Sequence, residues 1–504
     1  MNKKLFYIFI GIYVLFGATY HQPYVPATWL DEGFVLQGAT NLVDYGEYAM
    51  MSSEGFRILD QPLIANGPGV VLPITLIFKL FGVGLLQARL VVVAFLLVFV
   101  MLYYLSVRKL FGETAAVLAL LLLLAVPREG IFYYGRLALG NVPALAYFLA
   151  GFLLLLHSYD DNGFRSAIGA GLFFGLAMVT KGQFGLILPA LMALIVFDWV
   201  FFKRLNLKKS ALTFGVAVAM MGLWFLIQFY MVGFENIDQH LASIRSSSEV
   251  TVSAFRIERI PTNLWYLVRS GYVLFVLPGL VYATVQLFKR RDRRQLFLVI
   301  FILGWTAWNV IATVGWPRYL FTPYVLGLVL TGKFLADLVA SIQSEGIGKG
   351  SALAWGRNLL VAGIAIGAVY AFGVQVVELF STPDDSAQVF SSYLEEHIEE
   401  GALVESWEWQ LDILADVNYH HPPNDLVDKQ TAYIHYGDEF VTNYNPFYYQ
   451  PEYLIIGPFS KGMTLYSQYI EAGCCQLVFQ SGDYDLYKVN NDFIRSDAWQ
   501  IKNP

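Results

Sequence analysis

Long blocks of apolar residues, separated by short polar punctuation, run through the first three-quarters of the chain. They fall at roughly 5–20, 85–107, 114–127, 141–157, 166–180, 184–202, 211–232, 267–288, 295–314, 319–339 and 358–380. Blocks of this length suit a hydrocarbon layer, where every backbone amide and carbonyl must be satisfied within a helix. The pattern predicts about eleven transmembrane helices. A further apolar stretch at 70–81, bounded by Asn66-Gly67-Pro68-Gly69 and Lys79, is short and reads as a helix lying at the membrane interface. Beyond 380 the pattern changes. Pro383-Asp384-Asp385 precedes a predicted helix at about 386–400, and short strand-like runs at 453–456, 476–479 and 484–489 read as strands. The chain thus divides into a membrane body, 1–380, and a small mixed α/β domain, 381–504.

Composition agrees with that division. Of 504 residues, 57% are hydrophobic and only 14% charged, well under the quarter usual in soluble domains. The net charge of -6 is unevenly placed, with basic residues among the apolar blocks and acidic ones in the tail. With the amino terminus inside, the dense basic groups fall on one face: Arg108-Lys109, Arg165, Lys203-Arg204 with Lys208-Lys209, Lys289-Arg290-Arg291 with Arg293-Arg294, then Lys349 and Arg357. Positive charge marks the cytoplasmic side, so the loops 21–84 and 233–266, and the tail, are expected outside. The start of the chain, with Lys3 and Lys4 before an apolar run to Tyr20, resembles a signal peptide. No small-residue cleavage site follows, so an uncleaved first span is expected. The two cysteines, Cys474 and Cys475, are neighbours. The strained ring of an adjacent pair argues against a disulfide, and they read as two small apolar residues.

Charged residues at the outer ends of the spans are the candidates for chemistry, because ionised groups near hydrocarbon usually line a cavity. Asp31 and Glu32 follow the first span in Trp29-Leu30-Asp31-Glu32-Gly33. They suit either a general base with a supporting carboxylate or a plain helix start, where acids complement the dipole. Lys181, in Thr180-Lys181-Gly182-Gln183, is pinned between two spans and can bind a lipid phosphate, specifically or as a generic anchor. Arg318 in Trp316-Pro317-Arg318-Tyr319, and Arg136 in Tyr134-Gly135-Arg136-Leu137, suit phosphate binding or interfacial anchoring. Arg89 reads as a structural tie between loops. Asp31, Glu32, Arg136, Lys181 and Arg318 all fall on the outer face, where one base and several cations point to chemistry on a phosphate-bearing lipid.

The order of these motifs resembles a known family. Gly46-Glu47-Tyr48, Asn66-Gly67-Pro68-Gly69-Val70-Val71-Leu72-Pro73, Leu80-Phe81-Gly82 and Ala88-Arg89-Leu90 follow the acidic pair. Further along come Arg136-Leu137-Ala138-Leu139, Thr180-Lys181-Gly182-Gln183-Phe184-Gly185-Leu186 and Arg318-Tyr319-Leu320. Over about residues 5–340 the chain is similar to the polyprenol-phosphate-dependent glycosyltransferases of the GT-C superfamily. The resemblance is closest to the group containing protein O-mannosyltransferases and lipid A aminoarabinose transferases. It implies that Asp31 is the catalytic base, supported by Glu32, and that Lys181, Arg318 and Arg136 grip the donor phosphate. Many members carry a second acidic residue after the third span. Here Asn141 stands in Gly140-Asn141-Val142-Pro143 and Glu129 is displaced, which weakens the case for a divalent cation and leaves metal dependence open.

The expected reaction moves a sugar from a polyprenyl-phosphate donor to an acceptor hydroxyl, with inversion, outside a prokaryotic cytoplasmic membrane. The acceptor is a glycan, a lipid or a protein, and no nucleic acid is involved. Two alternatives stay open. Arg245, Arg256 and Arg259 in the second long loop suit a lipid-linked oligosaccharide polymerase or ligase. A transporter is the non-catalytic reading, although the chain shows no repeated halves. The tail aromatics Trp407, Trp409, Tyr448 and Tyr449 suit either a core or a sugar-stacking surface.

Overall fold

The structure is a computed structural model that describes residues 3–51, 57–58, 66–126, 130–160, 163–202, 207–290, 293–345, 352–423, 425–440, 444–462, 465–490 and 492–493. Every apolar block forms a helix. Among the described residues seven helices are long and apolar enough to cross a membrane: Leu85–Phe111, Asn141–Asp160, Gly182–Phe201, Leu207–Val232, Tyr272–Lys289, Pro317–Ile342 and Trp355–Leu379. Five shorter apolar helices accompany them: Tyr7–Thr19, Pro68–Phe81, Glu113–Leu124, Arg165–Thr180 and Leu296–Ala312.

Local chemistry sets the ends of these helices. Pro68 occupies the first turn of its helix, where a missing amide hydrogen costs nothing. Gly112, at φ 87°, closes Leu85–Phe111 and lets Glu113–Leu124 start at once in a new direction. Tight approach between spans uses small residues. A Cβ at Gly279 would lie 2.4 Å from the backbone nitrogen of Thr331, so helices Leu277–Arg290 and Pro317–Glu345 touch backbone to backbone.

The second long loop is more ordered than expected. Within 233–266 the chain forms helices Ile237–Thr251 and, extending past it, Ile260–Arg269. Ile260–Arg269 keeps a strongly one-sided apolar face, with Leu264, Trp265 and Val268 exposed and Asn263 buried.

The carboxy-terminal domain is a five-stranded sheet in the spatial order Asn418–His420, Leu403–Ser406, Tyr453–Ile456, Tyr484–Val489, Cys475–Ser481. The first three strands are parallel and the last two antiparallel to their neighbours. Alternation along the strands divides its side chains between two cores. Tyr453 and Ile455 join Val404 and Leu486 against helix Ser386–His397, with Phe390 and Leu394. Leu454 and Ile456 face the other way and join Trp407, Trp409 and the core of the membrane body. Trp407 and Trp409 are therefore core residues, whereas Tyr448 lies exposed.

One expectation is overturned. Cys474 and Cys475 are joined by a disulfide. The pair sits where the turn at Gly473, φ 81°, feeds strand Cys475–Ser481, and Cys474 lies just before the strand begins.

Candidate active site

A cavity of about 880 Å³ lies between the ends of several spans and the carboxy-terminal domain. Asp31, Asn66, Lys181 and Arg318 all line it. Each stands at a junction. Asp31 is the second residue of helix Leu30–Asp44, and Arg318 the second of helix Pro317–Glu345. Lys181 occupies the break between Arg165–Thr180 and the 3-10 turn Gly182–Leu186. Residues hundreds of positions apart thus meet because helix ends converge at one level of the bundle.

Arg318 forms an ion pair with Asp31, the two side chains being 16% and 20% exposed. Aromatic rings surround the guanidinium, 4.1 Å from the centroid of Trp316, 5.4 Å from Trp29 and 5.7 Å from Tyr319. Such rings hold a cation in place without neutralising it, which leaves its charge available to an anion. Trp316 in turn donates its indole N–H to Nε2 of His435, 3.1 Å away on helix Asp425–Tyr436. Burial, with the charge of Arg259, lowers the pKa of His435 and keeps it in the neutral form able to accept that bond.

Lys181 is buried and donates to Oδ1 of Asn66 at 2.9 Å. The same oxygen accepts the backbone N–H of Gly140 at 2.9 Å. Lys181 has no carboxylate partner among the described residues, and burial pulls its pKa down to about 7. A buried amine in that state gains most from an incoming anion.

Glu32 and Arg136 are placed differently. Glu32 turns away from the cavity and is fully buried against Arg89, with Nε–Oε1 at 2.8 Å and Nη2–Oε2 at 2.7 Å. It also accepts the N–H of Ala138 at 2.7 Å. Arg89 completes the knot by donating to the carbonyls of Pro23 and Pro26. Glu32 therefore acts on Asp31 by fixing the start of their shared helix. Arg136 is buried, donates to the carbonyl of Tyr20, and is not among the cavity-lining residues.

Two further features escape a reading of the sequence. Asn66 opens Asn66-Gly67-Pro68-Gly69, a motif that by itself gives it no role. Ser247 donates to Asp428 at 2.7 Å, and both line the cavity, on helices from the second loop and the carboxy-terminal domain. Among the described residues no group of three or more His, Cys, Asp or Glu is placed to hold a metal ion. Asn141 is buried at the start of its helix, and Glu129 lies outside the described residues.

Comparison with known proteins follows the same geometry. Residues 60–229 match the family described as dolichyl-phosphate-mannose-protein mannosyltransferase. The structure of ArnT from Cupriavidus metallidurans bound to undecaprenyl phosphate superimposes with a TM-score of 0.63 at 16% identity, covering 96% of this chain and 97% of that one. The fold is that of the GT-C glycosyltransferases. The archaeal oligosaccharyltransferase AglB from Archaeoglobus fulgidus, in complex with an inhibitory peptide and a dolichol-phosphate, shares this GT-C fold with a TM-score of 0.57 at 13% identity. That match covers 93% of this chain and 71% of AglB. No curated protein matches the chain by sequence. At such identities the GT-C likeness extends over membrane body and sheet domain together, and the cavity is where the two meet.

Proposed function

We propose that this protein transfers a sugar from a polyprenyl-phosphate donor to an acceptor hydroxyl, with inversion, at the extracytoplasmic face of a prokaryotic membrane. The observation that carries the reading is the cavity lined jointly by Asp31, Lys181 and Arg318. Arg318 is paired with Asp31. An arriving donor phosphate competes for the guanidinium, and Asp31 is released as a free carboxylate beside the anomeric carbon. The acceptor hydroxyl attacks that carbon in line and Asp31 takes its proton. The bond from carbon to phosphate oxygen breaks, its electron pair stays on the phosphate, and Arg318 and Lys181 neutralise the charge. Ser247 from the second loop, with Asp428 and Thr431 from the carboxy-terminal domain, suits an acceptor rich in hydroxyl groups.

Charge supports the orientation. Asp160 pairs with Lys109 and Arg294, each at 3.3 Å, drawing three basic connections together. Helix Leu296–Ala312 runs from that cluster for 17 residues, about 25 Å, towards Trp316 and Arg318. The cavity and the basic cluster thus stand at opposite ends of the bundle. The loop arginines are not among the residues lining the cavity: Arg245 pairs with Glu249, Arg256 with Asp438, and Arg259 donates to the carbonyls of Val314 and His435. This favours transfer of a sugar from its carrier over the polymerase or ligase reading.

The test is incubation of purified protein with radiolabelled undecaprenyl-phosphate sugars. Release of undecaprenyl phosphate with label passing to acceptor is expected; label crossing a vesicle membrane with the sugar–phosphate bond intact would instead identify a transporter. Lys181→Met is expected to lower transfer by ~10²–10³-fold, the scale of losing one preorganised charge-stabilising group. A pH series on binding gives a second check. The ammonium is the form that holds phosphate, and burial pulls its pKa down to about 7. Undecaprenyl phosphate should therefore bind more weakly as pH rises from about 6.5 to about 9, and Lys181→Met should flatten that dependence. An equal slope in both proteins would remove Lys181 from the phosphate site.

A further inference from the structure

The helix that carries Asp31 is gripped from outside the membrane body. A Cβ at Gly33 would lie 2.5 Å from the backbone carbonyl carbon and oxygen of Trp409, so only glycine permits this approach. Phe34 packs on the Trp409 ring with centroids 5.2 Å apart. One turn further on, Gln37 donates its amide N–H to Oδ2 of Asp412. Asp412 also faces His421, whose Nε2 stands 3.0 Å from both of its carboxylate oxygens. The other ring nitrogen, Nδ1, lies 2.6 Å from the carbonyl oxygen of Ser406. The imidazole is completely buried and stacks on Trp409 at 4.1 Å.

Both nitrogens of His421 therefore meet oxygens that can only accept. A neutral imidazole has one N–H and would leave a lone pair facing one of them. The imidazolium satisfies both. Burial opposes that charge, but Asp412, the Ser406 carbonyl and the carboxylate of Glu405 outweigh it and hold the pKa above the ordinary histidine value. Glu405 is itself engaged by Nδ1 of His420 and by the hydroxyls of Tyr444 and Tyr466. The rings stacked with it, Trp409 and Tyr419, and Gln37 on the other side of Asp412 are uncharged.

We propose that His421 is a positioning residue: as an imidazolium it fixes Asp412, which through Gln37 holds helix Leu30–Asp44 against the carboxy-terminal domain and so aims Asp31 into the cavity. The importance of that aim rests on the base role proposed above; the clamp itself does not. A raised pKa means the clamp is complete at and below the ordinary histidine value and is lost as pH climbs through the folded one. Misplacing a reacting group by about an ångström costs up to ~10²-fold in rate, so loss of the clamp should show in turnover.

The experiment is hydrogen–deuterium exchange on the full-length protein in lipid nanodiscs, across about pH 6 to 9, for wild type, His421→Phe and Gln37→Leu. Phenylalanine keeps a ring on Trp409 while removing both donors, and leucine removes the link from the helix side. After correction for intrinsic rates, amides of 30–44 are expected to exchange faster in both variants. Wild-type protection should fall with pH, and the variants should show no such fall. In parallel, kcat should drop ~10-fold or more with undecaprenyl phosphate affinity unchanged. Wild-type protection of 30–44 in Gln37→Leu, or a loss of affinity matching the loss of kcat, would overturn the proposal. Absence of any sugar transfer by the wild type would defeat the functional reading alone, and exchange would still decide the clamp.

Discussion

Asp31→Asn is expected to lower sugar transfer by ~10²–10⁴-fold, the range general-base assistance supplies, while leaving the protein folded in the membrane. The amide is nearly the same size as the carboxylate, sits in a partly exposed position, and keeps a hydrogen-bond acceptor for Arg318. What it cannot do is take a proton from the acceptor hydroxyl. The substitution carries a second, opposite consequence. In the wild type the Asp31 carboxylate competes with phosphate for Arg318, so the donor must displace it. With a neutral amide at this position that competition is gone, and undecaprenyl phosphate should bind at least as tightly as to wild type. The pair of outcomes, transfer abolished and phosphate binding kept or improved, separates loss of the base from loss of the site. Initial transfer rates and a binding titration on the same preparation measure both. Near-normal transfer would remove Asp31 from the chemistry, and weakened phosphate binding would mean that the ion pair builds the site instead of guarding it.

Much of this arrangement is legible in the chain because it rests on bulk properties. The apolar blocks have to be helices, and the basic clusters have to share a face. Lys109 and Arg294, inside charges by the sequence pattern, do converge on Asp160. The strands at 453–456 and 484–489 are rich in aromatic and β-branched residues and can be read directly. Leu403–Ser406 cannot, because Glu405 interrupts its apolar pattern. That carboxylate tolerates full burial only through His420, Tyr444 and Tyr466, partners that arrive from far along the chain. The second loop escapes for a related reason. Helix Ile237–Thr251 is polar along most of its length, with Ser243, Ser247, Ser248 and Thr251 turned towards a cavity that sequence alone cannot reveal. Within the site, charge announces Asp31, Lys181 and Arg318, whereas the neutral amides Asn66 and Gln37 acquire their roles only from what they touch. Charge also misleads about direction. Glu32 stands next to Asp31, yet the helical turn of about 100° per residue sends the two carboxylates to different partners.

That divergence makes Glu32→Gln, and Arg89→Met, the substitutions with the largest expected cost to stability. Both side chains are wholly buried, so either single change strands a charge in a site sealed from water. Breaking such a pair typically costs about 3–5 kcal/mol, far more than an exposed ion pair returns. The loss spreads, because one guanidinium joins three segments: the helix start at Glu32, the carbonyls of Pro23 and Pro26, and, through Glu32, the N–H of Ala138. Removing both charges together, as Glu32→Gln with Arg89→Met, eliminates the stranded ion. The double variant should therefore be less damaged than the sum of the singles, with a coupling of about 0.5–3 kcal/mol. It will not return to wild type, since without Arg89 the two proline carbonyls stay without that donor. Thermal unfolding of the four proteins in one detergent, followed by tryptophan fluorescence at a fixed scan rate, reads the order directly. Additive shifts in the double variant would show that the pair contributes as two separate anchors and that the buried charge is not what sets the cost.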